Sequence, residues 1–138
     1  MDISEEARVE FSKQGRVDIG TIHMASVLSP ISISEFGEEV LSYVQSRQRL
    51  YLLLNFENVD YLSSAVLTEL IKIHRAVHDT GGELRLCTVS PTIREIFRIT
   101  NLDQMLGIHE DELAPNLARF ERAIDVAEQD QAWDAPAE

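Results

Sequence analysis

Apolar and polar residues alternate one by one over 8–13, where Val9 and Phe11 stand against Glu10 and Ser12. That is the period of a strand with one face in a core and the other in water. Gln14-Gly15 supplies turn chemistry, and beyond it Val17, Ile19, Thr21 and His23 alternate less regularly with Asp18, Gly20 and Ile22. The pair predicts an antiparallel hairpin. The stretch 24–32 has no clear period, and Pro30 bars a continuous helix through it. Ser34 then precedes Glu35, Phe36, Val40, Leu41 and Val44 at helical spacing, so an amphipathic helix is expected to run from there to about Ser46.

Arg47-Gln48-Arg49 is a polar link into Leu50-Tyr51-Leu52-Leu53-Leu54, a run too short for a buried helix and suited to a central strand covered on both faces. A loop is expected over 55–61. The helix after it places Val66, Leu70, Ile73 and Val77 on one face and Thr68, Glu69, Lys72 and Arg75 on the other. Gly81-Gly82 stops that helix. A strand over 84–89 follows, and its parallel pairing with 50–54 through the intervening helix makes a right-handed crossover the default. Ser90-Pro91 provides an N-cap and a first-turn proline for a helix carrying Ile93, Ile96 and Phe97. Asn101 suits the left-handed position after it. A short strand at 105–109 and a final helix, starting between 111 and 115 and burying Leu117, Phe120 and Ile124, complete the pattern. The order predicts an α/β fold with a mixed sheet of four to five strands, built from an N-terminal antiparallel hairpin and then βαβα units. One domain is expected over 1–126 and an acidic mobile tail over 127–138, where Trp133 is the only large apolar residue.

Charge narrows the function classes. With 24 acidic against 12 basic residues and a net charge of −12, the surface repels nucleic acid and anionic lipid rather than attracting them. Cys87 is the only cysteine, which rules out an intrachain disulfide or a multi-cysteine zinc site and fits a reducing compartment. The opening MDISEEARVE is acidic where a signal peptide is basic and then apolar, and no apolar run approaches the roughly 18 residues a membrane span needs. A cytoplasmic location is expected.

Catalytic and metal chemistry find little support. Ser64 lacks the Gly-x-Ser-x-Gly elbow of a hydrolase nucleophile, because Leu62 and Val66 occupy the glycine positions. No enzymatic activity is expected. His74 and His78 are four apart but enclose no acid of the metalloprotease type, so they read as a solvated helix face. His23 and His109 stand alone. Gly81-Gly82 follows a helix, whereas a phosphate-cradling loop precedes one. Asp18, Glu57 and Asp60 lack the spacing of a calcium loop and read as solvated acids. Neither a metal nor another cofactor is expected. The adjacent serines carry more information. Ser63 as an N-cap contributes about 1 kcal/mol, while Ser64 falls in the first helical turn. A phosphate there, adding about −1.5 to −2 charges, gains from the helix dipole.

Leu54-Asn55 at a strand end, Ser63-Ser64-Ala65-Val66 at a helix start, Gly81-Gly82 and Ser90-Pro91 together resemble the STAS domain, the fold of anti-sigma factor antagonists. The resemblance runs from about 9 to 124 and is strongest over 54–102. In that family a strand ending in Leu-Asn or Leu-Asp leads into Asp-Ser-Ser-Gly at a helix start. The resemblance implies helices mainly on one side of the sheet and a partner switch. The unmodified protein captures an anti-sigma factor serine kinase and frees a sigma factor, phosphorylation abolishes capture, and a metal-dependent serine phosphatase resets the system. An ungapped match puts the phosphoacceptor at Ser64, with Ser63 in place of the aspartate, Ala65 of the second serine and Val66 of the glycine. The missing aspartate removes a negative charge beside the acceptor, and Val66 narrows close backbone approach by a partner. An exposed docking patch is expected at Tyr61, Leu62, Ser63, Ser64 and Thr68, with the chemistry in the partner. Two other readings stay open: a constitutive interaction or scaffold module without phosphorylation, and a nucleotide- or anion-binding sensor at the same helix start. A homodimer is also open.

Overall fold

The computed structural model describes residues 9–23, 30–59, 61–108 and 112–134. Five strands, β1 (Val9–Gln14), β2 (Val17–Ile22), β3 (Tyr51–Asn55), β4 (Glu83–Cys87) and β5 (Gly107–Ile108), form one sheet in the order β1-β2-β3-β4-β5. The β1–β2 hairpin is antiparallel with Gln14 opposite Val17, and the remaining pairs are parallel, with Tyr51 beside both Val17 and Glu83. Gly15 takes φ +62° in the hairpin turn, a conformation glycine adopts without steric cost. Four helices complete the chain: α1 (Pro30–Gln45), α2 (Ser64–Asp79), α3 (Pro91–Ile99) and α4 (Leu113–Asp134). The mixed α/β fold with its N-terminal hairpin is therefore the one the residue pattern predicts.

Each face of the sheet has its own core. Val9, Ile22, Leu52, Leu54, Leu84 and Leu86 pack beneath Phe36, Val40 and Val44 of α1, Val66, Leu70, Ile73 and Val77 of α2, and Ile93 and Phe97 of α3. On the other face Val17, Ile19, Leu53 and Cys87 meet Phe120 and Ile124 of α4. Three helices thus share one face. The strand β3 is buried on both sides, which is why its sequence is a continuous apolar run rather than an alternation. Helices α1, α2 and α3 follow the carboxyl ends of β2, β3 and β4, so their N-termini gather along one edge of the sheet. The serine pair lies at that edge.

Several boundaries differ from expectation for identifiable reasons. Helix α1 begins at Pro30, not after Ser34, because proline in the first helical turn gives up no needed hydrogen bond. The strand β4 stops at Cys87 because Thr88 turns to φ +57°. Asn101 does adopt the left-handed conformation, at φ +62°, and the 3₁₀ turn over Leu102–Gln104 draws the N–H groups of Met105 and Leu106 back onto the Leu102 carbonyl, leaving only Gly107–Ile108 of the expected last strand. His109, Asp60 and residues 135–138 lie outside the described residues. Residues 127–134, expected as the beginning of a tail, are the last turns of α4.

Arg16 ties the hairpin turn to this helix as far as Glu128. Its backbone N–H donates to Glu121 Oε2 at 2.8 Å, and its guanidinium reaches Glu121 Oε1 at 2.8 Å, Asp125 Oδ1 at 2.6 Å and Glu128 Oε1 at 3.0 Å. Spacings of four and three put the three acids on one helix face, so the hairpin turn grips α4 beyond the edge of its core. The hydrogen bonds to Asp125 and Glu121 hold the Arg16 guanidinium further above its already high pKa.

Candidate functional site

The chain between β3 and α2 is a loop pinned from inside. Asn55 Oδ1 accepts the backbone N–H of Glu57 at 3.2 Å and receives the Cys87 thiol at 3.9 Å. Phe56 N–H donates to the Cys87 carbonyl at 3.0 Å, and Val59 N–H to the Phe56 carbonyl at 2.9 Å. Phe56, Val59 and Leu62 are all buried, and the Phe56 ring meets Phe97 edge-on with centroids 6.3 Å apart. Three apolar anchors at a spacing of three thus fix the entry into α2.

Ser63 is the N-cap. Its φ of −99° and ψ of 166° are extended, its Oγ accepts the Val66 N–H at 3.3 Å, and its carbonyl accepts the Leu67 N–H at 3.1 Å. Ser64 is the first helical residue and is exposed. Thr68, one turn on, is also exposed, and its hydroxyl donates to the Ser64 carbonyl at 3.1 Å. No acidic residue stands in the first turn of α2, so negative charge placed on Ser64 meets the positive end of the helix dipole without repulsion from that turn.

Of the five residues expected on a docking patch, four reach the surface region and one does not. Tyr61 is 60% exposed, while Leu62 is only 6% exposed and belongs to the core. Leu62 precedes the cap and Leu67 follows it at the fourth helical position, and both belong to the same apolar cluster. These are the positions of a hydrophobic staple, which sets the angle at which a chain enters a helix. Val66 is likewise buried. Its side chain points into the protein and cannot obstruct a partner, contrary to the expectation that it narrows an approach.

Other sequence candidates fall elsewhere. His74 and His78 stack with ring centroids 6.4 Å apart, and burial, then the charges of His78 and Arg75, lower the pKa of His74. Burial pushes the Cys87 thiol up. Among the described residues no group of three His, Cys, Asp or Glu side chains could hold a metal ion, and no helix is long and apolar enough to cross a membrane.

Asp18 departs most from its expected role. Rather than a solvated acid it is 4% exposed. Tyr43 donates its hydroxyl to Asp18 Oδ2, Lys13 Nζ lies 3.1 Å from Oδ1, and Arg47 Nε lies 3.9 Å from Oδ2. The Tyr43 ring stacks on Phe11 at 3.8 Å, and Arg47 covers its other side at 3.5 Å. Burial, reinforced by the bond to Asp18, pushes the Tyr43 phenol up to about 12. The cluster pairs the buried Asp18 carboxylate and fastens α1 to the hairpin.

The family model described as the STAS domain matches residues 10–119 of this chain. A curated relative from Paenibacillus polymyxa, named anti-sigma F factor antagonist, is 23% identical over 70 residues, which cover 51% of this chain and 60% of the relative. The match therefore spans less than two thirds of that relative's own length. The fold is similar to that of an anti-sigma-factor antagonist (STAS) domain protein from Planctomyces limnophilus, with a TM-score of 0.73, 17% identity and coverage of 82% of this chain and 97% of the other. It is also similar to the Bacillus cell fate determinant SpoIIAA in its phosphorylated form, with a TM-score of 0.58, 16% identity and coverage of 86% and 98%.

Proposed function

The chain belongs to the STAS domain family, and on that premise we propose that it is an anti-sigma factor antagonist switched by phosphorylation of Ser64. The observation that carries this reading is the unequal placement of the two serines. Ser63 is bound into the helix cap, and Ser64 stands exposed as the first residue of α2. The names of the relatives support the antagonist function, and the phosphorylated form of a structural neighbour supports the switch.

Two of the motif departures have a structural account. Aspartate and serine are both strong N-caps, so Ser63 can perform the capping task of the family's aspartate. Val66 is buried beneath the helix, and its replacement of glycine leaves the outer surface unchanged. In the unmodified state Tyr61, Ser63, Ser64 and Thr68 bind an anti-sigma factor serine kinase and a sigma factor is released. The kinase supplies ATP and the catalytic groups. Phosphate on Ser64 adds about −1.5 to −2 charges at the centre of that contact and breaks it, and a metal-dependent serine phosphatase restores it.

The test is calorimetric titration of the purified protein against each serine kinase of the histidine-kinase ATPase type from the host. Saturable binding by wild type and Ser64→Ala, weakened by Ser64→Asp, supports the switch. Equal binding by all three forms would favour a constitutive interaction module.

A further inference from the structure

Among the described residues, large apolar side chains are strongly exposed at few places, and Ile31 at 71% is the most exposed of them, followed by Ile99 and Tyr61. Ile31 lies in the first turn of α1, and its place relative to Ser64 follows from how the two helices meet. Both start at the carboxyl edge of parallel strands and run the same way down the sheet. They approach closely where Gly37 of α1 faces Glu69 of α2, since a Cβ on Gly37 would overlap the Glu69 carboxylate. Ile31 is six residues before Gly37 and Ser64 is five before Glu69. At about 1.5 Å of rise per residue Ile31 lies about 9 Å before Gly37 and Ser64 about 7.5 Å before Glu69, so both sit in the opening turn at the same end of two neighbouring helices whose axes are about 8–10 Å apart.

They also point the same way. At about 100° per residue, Ile31 lies on the opposite side of α1 from the buried Ile33, Phe36, Val40 and Val44. Ser64 and Thr68 lie similarly opposite Val66, Leu70, Ile73 and Val77 on α2. The exposed Glu35 and Glu38 follow Ile31 at four and seven residues, on the same outward face. Ser64 is thus bordered by Tyr61 just before its helix and by Ile31 across on the neighbouring one, with acidic groups beyond.

We infer that Ile31 and Tyr61 are paired apolar anchors of the surface that captures the anti-sigma factor kinase, and that the kinase receives them in an apolar socket rimmed by basic residues facing Glu35 and Glu38. This inference rests on the function proposed above and adds α1 to a contact that the motif assigns to α2 alone. Apolar anchors near the centre of a contact carry most of its affinity, whereas rim charges tune encounter. A phosphate on Ser64, on the same end of the two helices as both anchors, then acts where the contact is desolvated.

The test is titration of the kinase that binds wild-type protein with Ile31→Ser, Ile31→Asp and Glu38→Gln. Both Ile31 variants should weaken binding about tenfold or more with unchanged thermal unfolding, because the side chain packs against little in the free protein. Glu38→Gln should mainly flatten the salt dependence. Wild-type affinity in both Ile31 variants, alongside loss in Ser64→Asp, overturns the inference and leaves the switch standing. A wild-type protein that binds none of the kinases removes both. Sedimentation that shows a wild-type dimer dissociated by Ile31→Asp would instead assign the patch to a second copy of the chain, also overturning it.

Discussion

Replacing each serine in turn by alanine should move stability in opposite directions. Ser63→Ala removes the hydroxyl that accepts the Val66 N–H at 3.3 Å, a cap worth about 1 kcal/mol. For a chain of this size that loss lowers the unfolding midpoint by about 3–4 °C. Ser64→Ala removes an exposed hydroxyl from the first turn and replaces it with a better helix former, gaining up to about 0.5 kcal/mol. The two variants should therefore differ by about 1–1.5 kcal/mol, while Ser63→Asp, which restores a cap, should behave as wild type. Urea unfolding followed by far-UV circular dichroism, with m unchanged across the set, measures this directly. Equal losses in both alanine variants, or a neutral Ser63→Ala beside a destabilised Ser64→Ala, would refute the division of labour between cap and acceptor.

Further expectations concern the two cores and their fastenings. Phe120 of α4 is fully buried against the sheet, so Phe120→Ala should cost about 3–5 kcal/mol in urea unfolding. Arg16→Ala breaks the three-acid grip on α4 and should accelerate amide exchange over 121–134 far more than in α2. A Cβ on Gly82 would fall on the Leu50 carbonyl, so Gly82→Ala should lower the midpoint more than Gly81→Ala, whose Cβ meets open space and carries only the penalty of φ +86°. The depressed pKa of His74 means that the unfolded chain takes up a proton first as pH falls through the ordinary histidine value of 6.5. Stability is then lost toward acid, and His74→Gln should make the unfolding midpoint fall less between neutral pH and about pH 5.

Much of this architecture can be read from residue pattern because the pattern reports burial. The Leu50–Leu54 run implies a strand covered twice, and β3 is covered twice; Ser90-Pro91 and Ser63 imply caps, and both serines accept first-turn N–H groups. What escapes the pattern depends on partners far along the chain. Arg16 and Glu128 are 112 residues apart, so no local window shows that they hold a helix together. Asp18 looks like a solvated acid until Tyr43, 25 residues away, closes over it. At the site, the family motif points to Ser64 but treats its neighbours alike. Spacing offers a finer signal, since Phe56, Val59 and Leu62 recur every third residue and are all buried, which separates Leu62 from exposed Tyr61.

The central claim is that Ser64, and not the serine beside it, carries the switch. Incubation with the cognate kinase and ATP, followed by mass spectrometry of the peptide spanning Tyr61 to Lys72, tests it most directly. One phosphate localised to Ser64, retained in Ser63→Ala and absent in Ser64→Ala, is the predicted result. Phosphate on Ser63, or a chain that stays unmodified while the same kinase binds it tightly, would contradict the account.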